Sequence, residues 1–292
     1  MKETELPYIL EETGDFAVVY KPPRMHCAPL VKKTDRPLPV NKLDRSPAER
    51  KTDRPSLTEP RHNEETLLDW YASFFPPVLS IAGGREGEGG LMHRLDYETR
   101  GLVLFAKNQE AFGVFQSGQL FGDFVKEYSA LCEKSESSLP GFPPLVSAGF
   151  PPLTSAGFAP DELSPDKPFV IESYFRPFGP GRKQVRPVIT AGKKIRKPAG
   201  DRGNFYRTEI VSVRGDFFTL RIKRGFRHQL RCHLSWIGFP IKNDPLYGTD
   251  RSLSPERGFL ALCAQALFFH DPRTGQKREF RIAALENFPL SG

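Results

Sequence analysis

A chain of 292 residues, 38% hydrophobic and 26% charged, is ordinary globular material, long enough to bury a sizeable core as one large domain. Its formal net charge of +7 favours a polyanionic partner over an acidic-substrate enzyme. The four cysteines, Cys27, Cys132, Cys232 and Cys263, lack the paired short spacing of a zinc ribbon or redox motif, and no apolar run reaches the ~18 residues of a membrane span. The charged Met1 to Glu5 leads into no apolar signal run, so a soluble cytoplasmic protein with reduced thiols is expected.

From the N-terminus, Tyr8 to Lys21 reads as a strand, a turn at Glu12-Thr13-Gly14-Asp15, and a second strand from Phe16 that Pro22-Pro23 stops. Between about 32 and 65 the composition turns polar and Pro-rich, with near-copies at Lys33 to Pro37 and Lys51 to Pro55; lacking apolar periodicity, it reads as an inserted loop. Glu64 to Phe75 has helical spacing, with Leu67, Leu68, Tyr71 and Phe74 on the core face and Pro76-Pro77 closing it. The glycines from Gly83 to Gly90 are not spaced as a dinucleotide fingerprint.

The stretch His93-Arg94-Leu95-Asp96-Tyr97-Glu98-Thr99-Arg100 comes next and runs into the apolar Leu102 to Ala106, which has the length of a buried strand. It sets one carboxylate, Asp96, among cations on a loop beside a rigid element, from which a nucleophile can be aimed. By spacing alone, an Asp between two Arg residues is more often a surface ion pair. Asn108 to Phe121 reads as a helix capped by Asn108, with Ala111, Phe112, Phe115 and Phe121 supplying apolar contacts, and Val125 to Cys132 as a strand. A second insertion, about 133–167, carries a tandem Gly-Phe-Pro-Pro repeat starting at Gly141 and Gly149.

From Arg176 to Arg231 there are sixteen Lys or Arg against three acids, so the positive charge is concentrated here. Arg182 to Arg186 and Lys193 to Lys197 are basic runs suited to phosphate. Tyr206 to Val213 and Phe217 to Lys223 flank Arg214-Gly215-Asp216 as a hairpin, with Phe218, Leu220 and Ile222 inward. Beyond it, a helix around Leu230, Leu234 and Ile237 is expected to show one core face and one cationic face carrying Arg227 and Arg231. Cys232-His233 near His228 has no second knuckle to complete a zinc site.

Three of these segments resemble the pseudouridine synthases of the RluA type. His93-Arg94-Leu95-Asp96 with Thr99 and Gly101 to Lys107 matches the signature that carries that family's catalytic Asp; Lys126-Glu127-Tyr128 matches its Lys-x-Tyr element; His228-Gln229-Leu230-Arg231 through Pro240 to Asp244 matches its third motif. The resemblance covers Tyr8 to Ala283 apart from the two insertions. It implies an α+β catalytic domain, a mixed and mostly antiparallel sheet around a basic cleft, spanning 1–292. Many members carry an RNA-binding domain of the S4 type ahead of this region, where this sequence has about a dozen residues.

The resemblance further implies a monomer that isomerises uridine in structured ribosomal or transfer RNA without metal or cofactor. Asp96 is then the catalytic carboxylate, Tyr128 stacks on the base, and Arg231 pairs with Asp96. Arg94, Lys21, His93, Lys126, Arg227, His228 and Gln229 complete the substrate site. Phe226, Arg227, Arg100 and Asn243 depart from the family pattern, and Arg227 and Arg100 read as replacement phosphate ligands. Two other classes compete: a non-catalytic RNA-binding protein on the same scaffold, and a glycosidase, which needs a second acid ~5–9.5 Å from Asp96, for which Glu98 is nearest.

Overall fold

In a computed structural model the protein is described over residues 5–29, 65–135, 166, 168–188, 205–249 and 258–284. Both insertions lie largely outside these residues, and the basic run Lys193 to Lys197 wholly outside them. The strands are β1 (Tyr8–Glu12), β2 (Phe16–Lys21), β3 (Arg100–Ala106), β4 (Val125–Leu131) and β5 (Phe169–Phe178), then β6 (Gln184–Val188), β7 (Tyr206–Arg214), β8 (Phe217–Ile222), β9 (Leu262–His270) and β10 (Lys277–Arg281). Among the described residues three α-helices join them: α1 (Leu67–Phe74), α2 (Gln109–Phe121) and α3 (Gln229–Trp236). The fold is α+β, as expected.

One sheet runs β1-β2-β3-β9-β4-β8-β7-β5-β6, with β10 paired to β9. Every pairing is antiparallel except β3 with β9, so the sheet is mixed and mostly antiparallel. Apolar β2 and β3 are buried throughout. The hairpin of β7 and β8 turns at Gly215, whose φ of 58° suits glycine, and Phe218, Leu220 and Ile222 point inward as their alternation requires. Among the described residues no helix is long and apolar enough to cross a membrane.

Local chemistry sets the helix ends. Thr66 accepts from the Asp69 amide (3.2 Å) and Asp69 accepts from the Thr66 amide (3.1 Å), a reciprocal cap for α1. Asn108 accepts from the Ala111 amide at 2.8 Å, and left-handed Gly122 (φ 84°) ends α2. Two aromatics expected in the core are exposed. Phe121 lies six positions past core-facing Phe115, about 240° round the helix and so on the far face. Phe74 sits edge-on against Trp70, and Phe75 takes the place against the core.

The two-faced reading of α3 is corrected: all eight of its residues are buried. The polar ones are paired internally, His233 between Ser173 and Thr208 (2.9 Å each) and Ser235 with the Tyr247 carbonyl (2.9 Å). Arg227 lies ahead of the helix and is exposed, so no cationic face forms.

β3 meets β9 over only two residue pairs, Arg100 with Cys263 and Gly101 with Ala264. Gly101 has φ 127°, and a Cβ there would lie 2.3 Å from the Ala264 carbonyl oxygen. Gly101→Ala is therefore expected to destabilise the protein by at least about 1–3 kcal/mol, read as a lowered urea midpoint with an unchanged slope.

Candidate active site

Asp96 is held by backbone contacts on both sides. Its carbonyl accepts from the Thr99 amide (3.1 Å), closing a turn into β3. The buried Cys27 sulfur accepts from the Leu95 amide (3.2 Å) and donates to the Leu95 carbonyl (3.5 Å). Buried Lys21 donates to the carbonyls of Pro22 and Met25 (2.8 Å each) and of Tyr97 (3.4 Å). Burial pushes the Lys21 ammonium down to about 8, while the nearby Cys27, Asp96 and Glu98 partly restore it. The loop is therefore fixed while the Asp96 carboxylate stays partly open to solvent.

Across from it stands Arg231, with its side chain fully buried. Nε and Nη2 each donate to one oxygen of buried Asp244 at 2.8 Å, a two-pronged pair. Its remaining nitrogen, Nη1, faces Glu98 at 3.2 Å and Asp96 at 3.4 Å. Burial alone would push the Asp244 carboxyl up; the Arg231 charge and hydrogen bonds, with the amides of Leu246 (2.8 Å) and Tyr247 (3.0 Å), outweigh it and hold it low. The expected Asp96–Arg231 pairing is present, but the principal partner of Arg231 is Asp244.

Tyr128 lies mid-way along β4, where the register against β9 shifts between Glu127 and Tyr128, an irregularity that re-aims a side chain. Burial, with the Asp96 charge adding to it, pushes the phenol up, so the hydroxyl is neutral at pH 7 and available as a donor. His228 sits at φ 56°, a conformation uncommon for a non-glycine residue, just ahead of α3. Its Nδ1 is 3.2 Å from the Tyr247 hydroxyl and its Nε2 is 4.0 Å from Asp96 Oδ1. Burial lowers its pKa, with Asp96 opposing.

The other expected site residues divide. Arg94 is half-exposed and pairs with Glu88 at 2.9 Å; exposed Arg227 donates to the carbonyls of Arg182 (2.7 Å) and Gln184 (3.3 Å). His93, Lys126 and Gln229 have their polar atoms turned into the protein. His93 Nε2 accepts from the Leu104 amide (3.3 Å), and burial drives the ring well towards neutrality. Lys126 donates to the Lys223 carbonyl (3.1 Å) and burial pushes it down to about 8. Gln229 donates to the Arg207 carbonyl (3.0 Å) and the Thr208 hydroxyl (3.1 Å), tying α3 to β7.

Arg100 is a correction. Its side chain is fully buried against Glu5 (2.6 Å), which also accepts from the Tyr20 hydroxyl, and it lies 5.1 Å from the Phe259 ring. It cannot serve as a phosphate ligand. Phe226 stacks on Phe175 at 5.0 Å and 5°, and so builds a small core with Val185, Cys232 and Tyr247. Asn243 adopts φ 62°, which asparagine tolerates nearly as well as the family's glycine. Two residues of the site, Asp244 and Glu98, had not been read as partners of Arg231; the signal for Asp244 was an acid set among Ile241, Pro245, Leu246 and Tyr247.

This geometry can be set against known proteins. A family model described as RNA pseudouridylate synthase matches residues 15–236, which contain Asp96, Tyr128 and Arg231. The chain belongs to that family. It is 29% identical over 224 residues to an uncharacterized RNA pseudouridine synthase of Chloroflexus aurantiacus, covering 76% of this chain and 57% of that protein. It is 24% identical over 239 residues to ribosomal large subunit pseudouridine synthase D of Pseudomonas aeruginosa, covering 78% and 61%. The chain thus spans about three fifths of the length of these relatives. The solved structure of human RNA pseudouridylate synthase domain containing 1 shares the fold, with a TM-score of 0.52 at 19% identity over 97% of this chain and 85% of that one.

Asp244→Asn keeps the shape of the anchor and removes its charge, leaving Arg231 buried without its main counterion. A loss of about 3–5 kcal/mol in urea unfolding is expected. Because the folded Asp244 carboxyl is held below its unfolded value near 3.8, its contribution is complete above that value and is lost as pH falls through the lower one. The gap between parent and variant should therefore narrow as the pH is lowered below about 4.

Proposed function

We propose that the protein isomerises uridine to pseudouridine in structured RNA, ribosomal or transfer, with Asp96 as the catalytic carboxylate. The observation that carries this reading is the partly open Asp96 carboxylate facing Nη1 of an arginine whose other two donors are locked to a buried acid. A carboxylate so restrained reacts without paying again for its own positioning.

In the reaction the bond between N1 of the uracil and C1′ of the ribose breaks, the base rotates, and a bond forms between C5 and C1′. One proton leaves C5 and one ends on N1. Atoms balance within the nucleoside and nothing is oxidised or reduced, so the chemistry itself requires no cofactor. Asp96 acts on the nucleoside, Tyr128 lies flat against the base and relays the C5 proton, releasing its own hydroxyl proton to solvent as it takes the one from C5 while N1 takes a proton from solvent, and Arg231 orients Asp96.

Arg94 and Arg227, both open to solvent, hold phosphates, and His228 hydrogen-bonds the nucleotide from beside Asp96. Lys21, His93, Lys126 and Gln229, expected at the substrate itself, support it from behind by fixing the loops that carry the site. The uridine must leave its stack to reach Asp96, at a cost of a few kcal/mol that the phosphate contacts offset.

Asp96→Asn should retain RNA binding and lose tritium release from RNA carrying 5-tritiated uridine. Full release from that variant would sink the catalytic assignment, and no release from the parent chain on any cellular RNA would favour a non-catalytic RNA-binding protein. Tyr128→Phe keeps the ring and removes the hydroxyl; binding should persist while turnover falls by about 10²–10⁴.

A further inference from the structure

Beyond the Asp96 site, a groove of about 230 Å³ opens between the C-terminal end of α2, the start of β7 and the end of β8. Three large apolar side chains stand on its lip: Phe121 is 83% exposed, Leu120 63% and Phe205 45%. Single exposed apolar residues need no explanation, but three around one groove do. The lining adds four cations, Arg207, Arg221, Lys223 and Arg224, against one acid, Glu209.

The cations are not equivalent. Arg207 pairs with Glu209 (2.8 Å) and Glu172 (3.5 Å), and Arg221 with Glu127 (2.8 Å). Lys223 and Arg224 form no ion pair among the described residues, and Arg224 only donates to the Leu120 carbonyl at 3.3 Å. Two uncompensated cations therefore lie beside exposed aromatic rings.

The groove also adjoins the Asp96 loop from two sides. Gln119, on its wall, donates at 2.8 Å to the carbonyl of Met92, next to His93 and Arg94. From Arg224 the chain runs in four residues to His228, whose ring is 4.0 Å from Asp96.

We propose that this groove is a second RNA subsite, which takes the single-stranded nucleotide flanking the uridine held at Asp96: its base stacks on Phe121 and Phe205, and its phosphate rests on Lys223 and Arg224. This rests on the reading of the Asp96 site as one that acts on RNA. Drawing a uridine out of its stack leaves the neighbouring base with one face uncovered, and a flat exposed ring restores that contact whatever the base. Paired cations beside the ring fit the phosphodiester that links the two nucleotides, a combination that an apolar peptide or a second copy of this chain does not require.

The test is binding of the full chain to a fluorescein-labelled oligouridine of about ten nucleotides, which fits the usual span of single-strand sites. Phe121 is exposed and ends its helix, so Phe121→Ala leaves the fold intact, as thermal unfolding verifies. It should weaken binding by about 5- to 150-fold, the factor that corresponds to one stacked base, while Phe121→Trp binds at least as tightly as the parent. Lys223→Gln combined with Arg224→Gln should flatten the slope of log affinity against log salt by about 0.7, the value for one phosphate on a single strand.

Parent-like binding by Phe121→Ala, an unchanged salt slope in the double variant, or no oligouridine binding by the parent would each overturn the subsite. So would a change confined to self-association in sedimentation. Tritium release by the parent chain is read separately. If release is absent yet the ring and salt effects appear, the catalytic reading fails and the groove stands; if release is present without them, the groove alone fails.

Discussion

A guanidinium with no access to water, clamped through two of its nitrogens by an equally buried carboxylate, is the interaction on which this molecule depends. Neither Arg231 nor Asp244 is tolerable alone in that environment, since desolvation of a single charge costs several kcal/mol. Together they join α3 to the loop after it and leave only Nη1 uncommitted. That nitrogen can point nowhere else, and it points at Asp96 and Glu98. The stabilising pair and the orienting contact are one arrangement, so the site is as rigid as the core behind it.

The opposite wall is rigid for a different reason. Asp96 lies just before β3, a strand buried along its whole length, and Gly101 lets that strand approach β9 more closely than a Cβ would permit. Lys21, the last residue of β2, and Cys27, from the segment after it, hold the backbone at Tyr97 and Leu95. Three separate parts of the chain thus restrain one carboxylate. Glu98, the second acid that a glycosidase would need, shares Nη1 of Arg231 with Asp96.

Charge carries the second theme. Several of the arginines are engaged internally: Arg100 by Glu5, Arg221 and Arg281 by Glu127, Arg231 by Asp244. The number of cations therefore overstates how many can meet a polyanion. Among the exposed cations, Arg227 lies just ahead of His228 at the Asp96 site, and Lys223 and Arg224 line the groove beside it. The lysines nearest the chemistry, Lys21 and Lys126, are buried and weakened as bases by desolvation, which suits them to hold carbonyls in place.

By itself the sequence determined what depends on neighbours along the chain. The apolar runs of β2 and β3, the Asn108 cap, the turn at Gly215 and the alternation in β8 follow from local periodicity and backbone preference, and the three motifs named the family and marked Asp96, Tyr128 and Arg231. Only the tertiary structure decided where long-range partners lay. Glu5 comes from 95 residues away to neutralise Arg100, and α3 is enclosed on all sides because β6, β7 and the loop to Tyr247 close over it. A helical wheel records which residues share a face; it cannot record that both faces are covered. Hence Arg231, legible as a partner for Asp96, could not be seen to hang from Asp244: the need for that second carboxylate arises only when folding removes the water.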